Sequence, residues 1–384
     1  MTLRRSMQPK YRRRRQMALA LAIALVVLLV GISGYVYYQR TVVGQRDYSG
    51  DGNGNIVMFK VSEGDSLASI APDLVSQNIV GSRKAFMQEA EKTEPALQAG
   101  YYPLQEEMSA GSALLALTDE NNRRGLVDIS NGMTLQDVTV VGGEVRDGIY
   151  SLISKQTCTD ENHCISPEEL KDAVINTPAK KLGVPQWATG AVDARMDDPR
   201  RIEGLISPGV HLFDPTADAL EIVKALIEKS AAQYEDTGLT QAAQTVGLTP
   251  YEMITAASLV EREAPEGDFD KVARVILNRL HIEQKLEFDS TVNYDLQEVE
   301  VATTDEDRHR LTPWNTYAKK GLPETPISSP GLQALQAMEH PAEGDWLYFV
   351  TIDQDGTTVF NRDFDQHEAA IEKSREAGVL DSAR

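Results

Sequence analysis

One glutamate stands where a solvated charge does not belong. Thr249-Pro250-Tyr251-Glu252 has the make-up of a capping box with proline at the first helical position, which marks a helix start. Counted from there, Met253, Ala256, Ala257, Val260 and Ala264 follow the i, i+3, i+4, i+7, i+11 stripe, and Glu261 falls on the same stripe at i+8. Burial disfavours a carboxylate and raises its pKa, so a glutamate in that position can hold a proton near neutral pH and pass it to a glycosidic oxygen. The competing reading is a carboxylate paired with Arg262 or Arg279 at a helix end. Arg262 and Glu263 fall on the opposite side and read as solvated.

A second helical pattern, Asp268 to Leu280, puts Phe269, Val272, Ala273, Ile276 and Leu280 on one face and carries Asn278-Arg279 near its end, so it is expected to pack on the first. Phe288 to Tyr294, Trp314 to Tyr317 and Gly321 to Gly331 follow as loops dense in amides, hydroxyls and rings. Such groups suit a carbohydrate, whose hydroxyls take hydrogen bonds and whose apolar faces stack on rings. Turn chemistry and core packing use the same residue types, and both readings stay open.

The only two cysteines, Cys158 and Cys164, flank a short polar stretch that includes His163. In an oxidising compartment a local disulfide is expected, with unpaired thiols as the alternative. No CxxC pair, HExxH, Gly-rich phosphate loop or GxSxG elbow occurs, so neither a metal nor a cofactor is expected.

The elements that must hold these groups are modular. The chain has 384 residues, enough for two or three domains, and 38 Lys+Arg against 58 Asp+Glu. Seven of the basic residues lie in the first 16 positions, where there is no acid, which leaves the rest of the chain at −27. A body so acidic repels polyphosphate and makes nucleic acid a poor partner. Residues 1–16 read as a cytoplasmic basic tip and 17–38 as an uncharged transmembrane helix, long enough at about 1.5 Å per residue to cross a hydrocarbon core of about 30 Å. Tyr35, Tyr37 and Tyr38 suit an interface, and the flanking charge orients the N-terminus inward, which places the remainder outside the plasma membrane.

Residues 39–54 read as a polar, Gly-rich linker, 55–120 as a small βααβ domain, 121–200 as a connecting region with the cysteine loop, and 201–384 as a mixed α+β domain. The fold class expected is therefore α+β behind a single N-terminal span. Phe59-Lys-Val61, Gly64-Asp65-Ser66-Leu67 and Ile70-Ala71 resemble a LysM module, a fold associated with N-acetylglucosamine polymers.

Several runs, taken in order, resemble the endolytic murein transglycosylases, the YceG-like family: Ala257-Ser-Leu-Val-Glu261-Arg-Glu263, Val272 to Leu280, Asp289-Ser-Thr291-Val with Tyr294, Trp314-Asn-Thr-Tyr317, Gly321-Leu-Pro323 and Ile327 with Pro330-Gly331. Leu347 to Val350 and Val359-Phe360, Phe364 and His367 continue the pattern. Departures occur. Ile202-Glu203-Gly204 to Pro208 resembles the family's Glu-Gly-x-x-x-Pro segment with Gly209 in place of Asp, Asn131-Gly132-Met-Thr134 has Asn in place of Glu, and Trp314 replaces a Tyr while keeping a stacking face. The cysteine loop looks like an insertion.

The resemblance implies cleavage of the bond between N-acetylmuramic acid and N-acetylglucosamine inside glycan strands, without water and without a cofactor. Glu261 matches the family's catalytic glutamate. Asn278, Asp289, Asn315 and Tyr317 are expected to position sugar or support Glu261. Peptidoglycan strands, the plasma membrane and peptidoglycan synthases are the partners implied, with strand termination as the role. Two other functions compete: a hydrolytic muramidase with Asp289 or Glu263 as second carboxylate, and a non-catalytic wall-binding scaffold.

Overall fold

The computed structural model describes residues 9–41, 46–93, 95–158, 164–265, 267–296, 298–299 and 303–379. The chain divides into two compact units, Met1–Arg123 and Arg124–Arg384, and both helices and strands build each of them.

In the first unit, helix α1 (Pro9–Thr41) contains Arg14–Tyr38, a stretch long and apolar enough to cross a membrane and unburied along its length. The span expected at 17–38 lies inside it. The rest of the unit is β1 (Ile56–Val61), α2 (Leu67–Ser76), α3 (Arg83–Thr93), β2 (Gly100–Gln105) and α4 (Ala110–Thr118). Strands β1 and β2 pair antiparallel with Phe59 opposite Tyr102, and α2 starts at a Ser66–Ser69 capping box. Phe59, Leu74, Phe86, Leu104 and Leu117 fill the core beneath.

The linker expected at 39–54 is shorter than its composition suggested. From residue 46 the chain is docked on this unit: Asp47 accepts the Ala110 amide at 2.9 Å, Tyr48 donates to Asn78 at 2.7 Å, and Asp51 accepts from Ser112 at 2.7 Å. Aspartates that cap a neighbouring helix are indistinguishable by composition from aspartates that keep a tether soluble. Residues 42–45 lie outside the described residues.

The second unit opens with β3 (Leu126–Ile129), β4 (Val138–Val140), β5 (Val145–Arg146), α5 (Ile149–Thr157), α6 (Pro167–Ile175), α7 (Gln186–Asp193) and β6 (Gly209–Leu212). It continues with α8 (Ala219–Asp236), α9 (Leu239–Val246), α10 (Pro250–Glu263), α11 (Phe269–His281), α12 (Asp289–Asn293), β7 (Glu298–Val299) and α13 (Asp305–His309). Helix α14 (Leu332–Glu339), the hairpin of β8 (Tyr348–Thr351) and β9 (Thr358–Asn361), and α15 (Phe364–Glu376) complete it. Strand β3 pairs antiparallel with β6, and β4 lies between antiparallel β5 and parallel β7.

The stretch 121–200 is not a connector. Ile149, Ile153, Leu170, Val174, Leu182 and Val192 belong to one core with Ile222, Val223 and Leu226 of α8. The buried Arg201 guanidinium reinforces that core by donating to the carbonyls of Val174, Thr177 and Val192. Each helix here runs only eight or nine residues, too few turns for a clear period. Cys158 and Cys164 are joined by a disulfide just after α5, with a Cα separation of 4.1 Å, while His163 lies outside the described residues.

Helix α10 forms the centre of the second core. Met253 to Val260 are buried on every side of it, so the stripe that singled out Glu261 is less selective than the period implied. Two polar residues within that buried stretch are satisfied: Thr255 donates to the Tyr251 carbonyl, and Ser258 donates to Thr255 and accepts the Ile327 amide at 3.1 Å.

Candidate active site

Glu261 lies in the last turn of α10, where the helix emerges from its core, and is half-buried. Its Oε2 accepts the backbone amide of Gly331 at 3.0 Å. Gly132 stands on the other flank at φ +73°, and a Cβ there would lie 3.6 Å from Cγ of Glu261 and 3.8 Å from Cδ of Arg262. The segments carrying the two glycines are clamped together: Gly132 donates to the Ser329 carbonyl and Ser329 to the Met133 carbonyl, both at 2.8 Å. Asn131 packs so closely on Gly331 that a Cβ at position 331 would meet its amide nitrogen at 2.5 Å.

Gly132 and Arg262 line a cavity of about 570 Å³, together with Asn131, Thr134, Glu203, Ser290 and Tyr294. Glu203 is 1% exposed and accepts the Leu135 amide at 3.1 Å and the Tyr294 hydroxyl at 2.7 Å. Burial pushes its carboxyl up to about 7, against the opposing pull of these bonds and of Arg200. Arg200 pairs with Asp198 and Asp295 and lies 3.9 Å from the ring centre of Trp314.

Trp314 therefore offers no stacking face to a sugar. It is 2% exposed, its Nε1 donates to Thr325 at 2.8 Å, and Arg195 and Arg200 lie against its ring. Arg262 is exposed, as expected, but Glu263 is not solvated: it is half-buried and accepts from the Ser290 amide at 3.3 Å and the Ser290 hydroxyl. Burial pushes Glu263 up to about 7, with the nearby Asp289 charge adding to the rise. Arg279, a candidate partner for Glu261, is turned to the carbonyls of Leu286 and Leu347 and to the rings of Phe288 and Tyr348.

Of the other sequence-predicted residues, Asp289 and Tyr317 come together. Tyr317 donates to Asp289 at 2.8 Å, Thr303 donates at 2.7 Å, and Arg308 pairs with the same carboxylate at 3.2 Å. Burial and the Asp289 charge raise the Tyr317 phenol above its usual range. Asn315 is 1% exposed and shapes the loop: its amide donates to the carbonyls of Asp307, Arg308 and Arg310 and accepts the amides of Tyr317 and Ala318. Backbone thus occupies both ends of its amide. Asn278 donates to the carbonyls of Gly344 and Trp346, holding the approach to β8.

Glu203, Tyr294 and Ser290 enter the sequence reading only inside family-like motifs, with no role of their own expected there. The available signal was an acid inside the apolar run Ile202-Glu203-Gly204-Leu205-Ile206, the same anomaly that drew attention to Glu261. Among the described residues no group of three or more His, Cys, Asp and Glu side chains is disposed to hold a metal.

Residues 59–373 match the profile of the YceG-like family. An endolytic murein transglycosylase of Bacillus subtilis is 28% identical over 320 residues, covering 83% of this chain and 84% of that protein. One from Streptococcus pneumoniae D39 is 25% identical over 338 residues, 82% of this chain, which spans 58% of the pneumococcal protein's length. A crystal structure of a yceG-like protein from Listeria monocytogenes superposes with a TM-score of 0.52 at 20% identity, over 83% of this chain and 99% of that one, a likeness of fold. With four-fifths of its length inside that profile, the chain belongs to the YceG-like family.

Proposed function

We propose that the protein is an endolytic peptidoglycan lytic transglycosylase, a lyase, anchored in the plasma membrane by α1 with its N-terminus cytoplasmic. The observation that carries the catalytic assignment is Glu261 itself, held by the Gly331 amide beside Gly132 and next in sequence to Arg262, two residues that line the cavity. Glu261 gives its proton to the oxygen leaving the muramoyl anomeric carbon. The resulting carboxylate, steadied by the Gly331 N–H, then takes the proton of the muramoyl 6-hydroxyl as O6 bonds to that carbon and closes a 1,6-anhydro ring. The glycosidic C–O bond breaks, an intramolecular C–O bond forms, the proton returns to Glu261, and no water is consumed. One carboxyl suffices, unlike a retaining hydrolase with two carboxyl groups about 5–5.5 Å apart.

The seven basic residues ahead of the span support the orientation, and the LysM-like βααβ unit supplies wall binding near the membrane. Cutting strands there ends their elongation, in reach of the synthases that make them. Digestion of uncrosslinked peptidoglycan followed by mass spectrometry tests the chemistry. Anhydro-muramic ends, lost in Glu261→Gln, are expected. Reducing ends alone would make the protein a muramidase, and wall binding without cleavage a scaffold.

A further inference from the structure

We infer that Glu203 is a positioning residue for Glu261, acting with Tyr294 as a clasp on the turn that carries Gly132. The inference rests on the reading of Glu261 as the acid and adds a residue for which that mechanism has no use.

A carboxyl only 1% exposed is costly to keep out of water unless its bonds do something. Those of Glu203 join two segments distant in sequence. Oε1 takes the Leu135 amide at 3.1 Å, at the end of the Asn131–Thr134 turn, and Oε2 takes the Tyr294 hydroxyl at 2.7 Å, just beyond α12. From that turn the link continues through the paired 2.8 Å bonds of Gly132 and Met133 with Ser329, and from Gly331 to Glu261 at 3.0 Å. Ser329 also donates to the Ile206 carbonyl at 2.8 Å, which returns the loop to the segment bearing Glu203. Gly204 is fixed there as well, at φ +74°, with Pro326 where a Cβ would stand. Two of the backbone segments against Glu261, those of Gly132 and Gly331, are thus tied to Glu203 or to its own segment.

Glutamine can replace the clasp: its oxygen accepts from Leu135 and its amide nitrogen donates to the Tyr294 oxygen. Alanine cannot. With the full chain in detergent, Glu203→Ala should lower kcat at least tenfold with KM within about threefold, and Glu203→Gln should restore kcat to within about threefold of wild type. Tyr294→Phe, which removes only a hydroxyl, should lower kcat by about three- to tenfold. Hydrogen exchange in Glu203→Ala should quicken at residues 131–135 and 329–331 and stay unchanged at 56–117. Full kcat in Glu203→Ala, no recovery in Glu203→Gln, or unchanged exchange at 329–331 would overturn the clasp. Exchange reads the clasp without reference to turnover, so a wild type that forms no anhydro ends would defeat the proposed chemistry alone.

Discussion

The amide of Gly331 donates a 3.0 Å hydrogen bond to Oε2 of Glu261, from a position where only a hydrogen separates the Gly331 backbone from the side chain of Asn131. A single methyl group at that point tests how much the acid depends on its seat. Gly331→Ala would place a Cβ 2.5 Å from the Asn131 amide nitrogen, closer than real contacts allow, so either the Asn131 side chain swings aside or the 331 segment moves and carries its N–H off Glu261. Loss of one preorganised donor in an active site costs about 10²–10³ in kcat. A drop toward that range is expected in an anhydro-end assay, with partial recovery in Gly331→Ala/Asn131→Ala, where the obstructing amide is gone. Wild-type turnover in the single variant would mean that the Asn131 side chain yields instead and the seat of Glu261 is undisturbed.

Asn315 makes the opposite case, a residue whose removal should cost stability. Its buried amide serves five backbone groups of the 307–318 loop, and alanine would leave several of them without partners. Buried unsatisfied groups cost about 1–3 kcal/mol each before relaxation. Thermal unfolding of Asn315→Ala should fall by several degrees, while the protein that remains folded binds wall fragments with unchanged affinity. Weakened binding at full stability would instead return Asn315 to the sugar site.

These contrasts mark what was legible in the sequence. The helix bearing Glu261 could be placed because capping boxes and periods are local signals, and the apolar span at 17–38 is a matter of length alone. The contribution of α5–α7 to the core and the clasp of Glu203 were not legible, because each depends on partners far away: Glu203 bonds Leu135 and Tyr294, and neither spacing has a period. Glu263 was misjudged for a related reason. The wheel of α10 puts it away from Glu261, but α12 covers that side, and Ser290 meets it there. Trp314 misled through its type, since a ring offered to sugar and a ring held by two arginines look alike in one dimension.

The Cys158–Cys164 bridge should matter for stability and leave the chemistry alone. It closes a loop of seven residues, for which the chain-entropy relation gives about 2 kcal/mol. Cys158→Ser/Cys164→Ser should therefore unfold at lower denaturant concentration, as should the wild type in reductant, with kcat on peptidoglycan unchanged. A fall in kcat at temperatures well below unfolding would connect the loop to the site.

The two carboxyls pushed up to about 7, Glu203 and Glu263, make stability depend on pH in a direction opposite to that of salt-bridged acids. Their unfolded values lie near 4.5, so between 4.5 and 7 the folded protein holds protons that the unfolded chain has released. Stability from these protons is fully present below pH 4.5 and is lost as pH rises through 7. A rise of that size on the buried Glu203 is worth about 3 kcal/mol, and Glu263, which keeps some contact with solvent, contributes less. Chemical denaturation from pH 5 to pH 8 should show wild-type stability falling, with a shallower fall in Glu203→Gln, which carries no titrating proton and keeps the bonds to Leu135 and Tyr294. The variant should equal the wild type near pH 5 and exceed it at pH 8. Parallel curves for the two proteins would mean that Glu203 is ionised in the folded state across this range, and the burial cost assigned to it would be wrong.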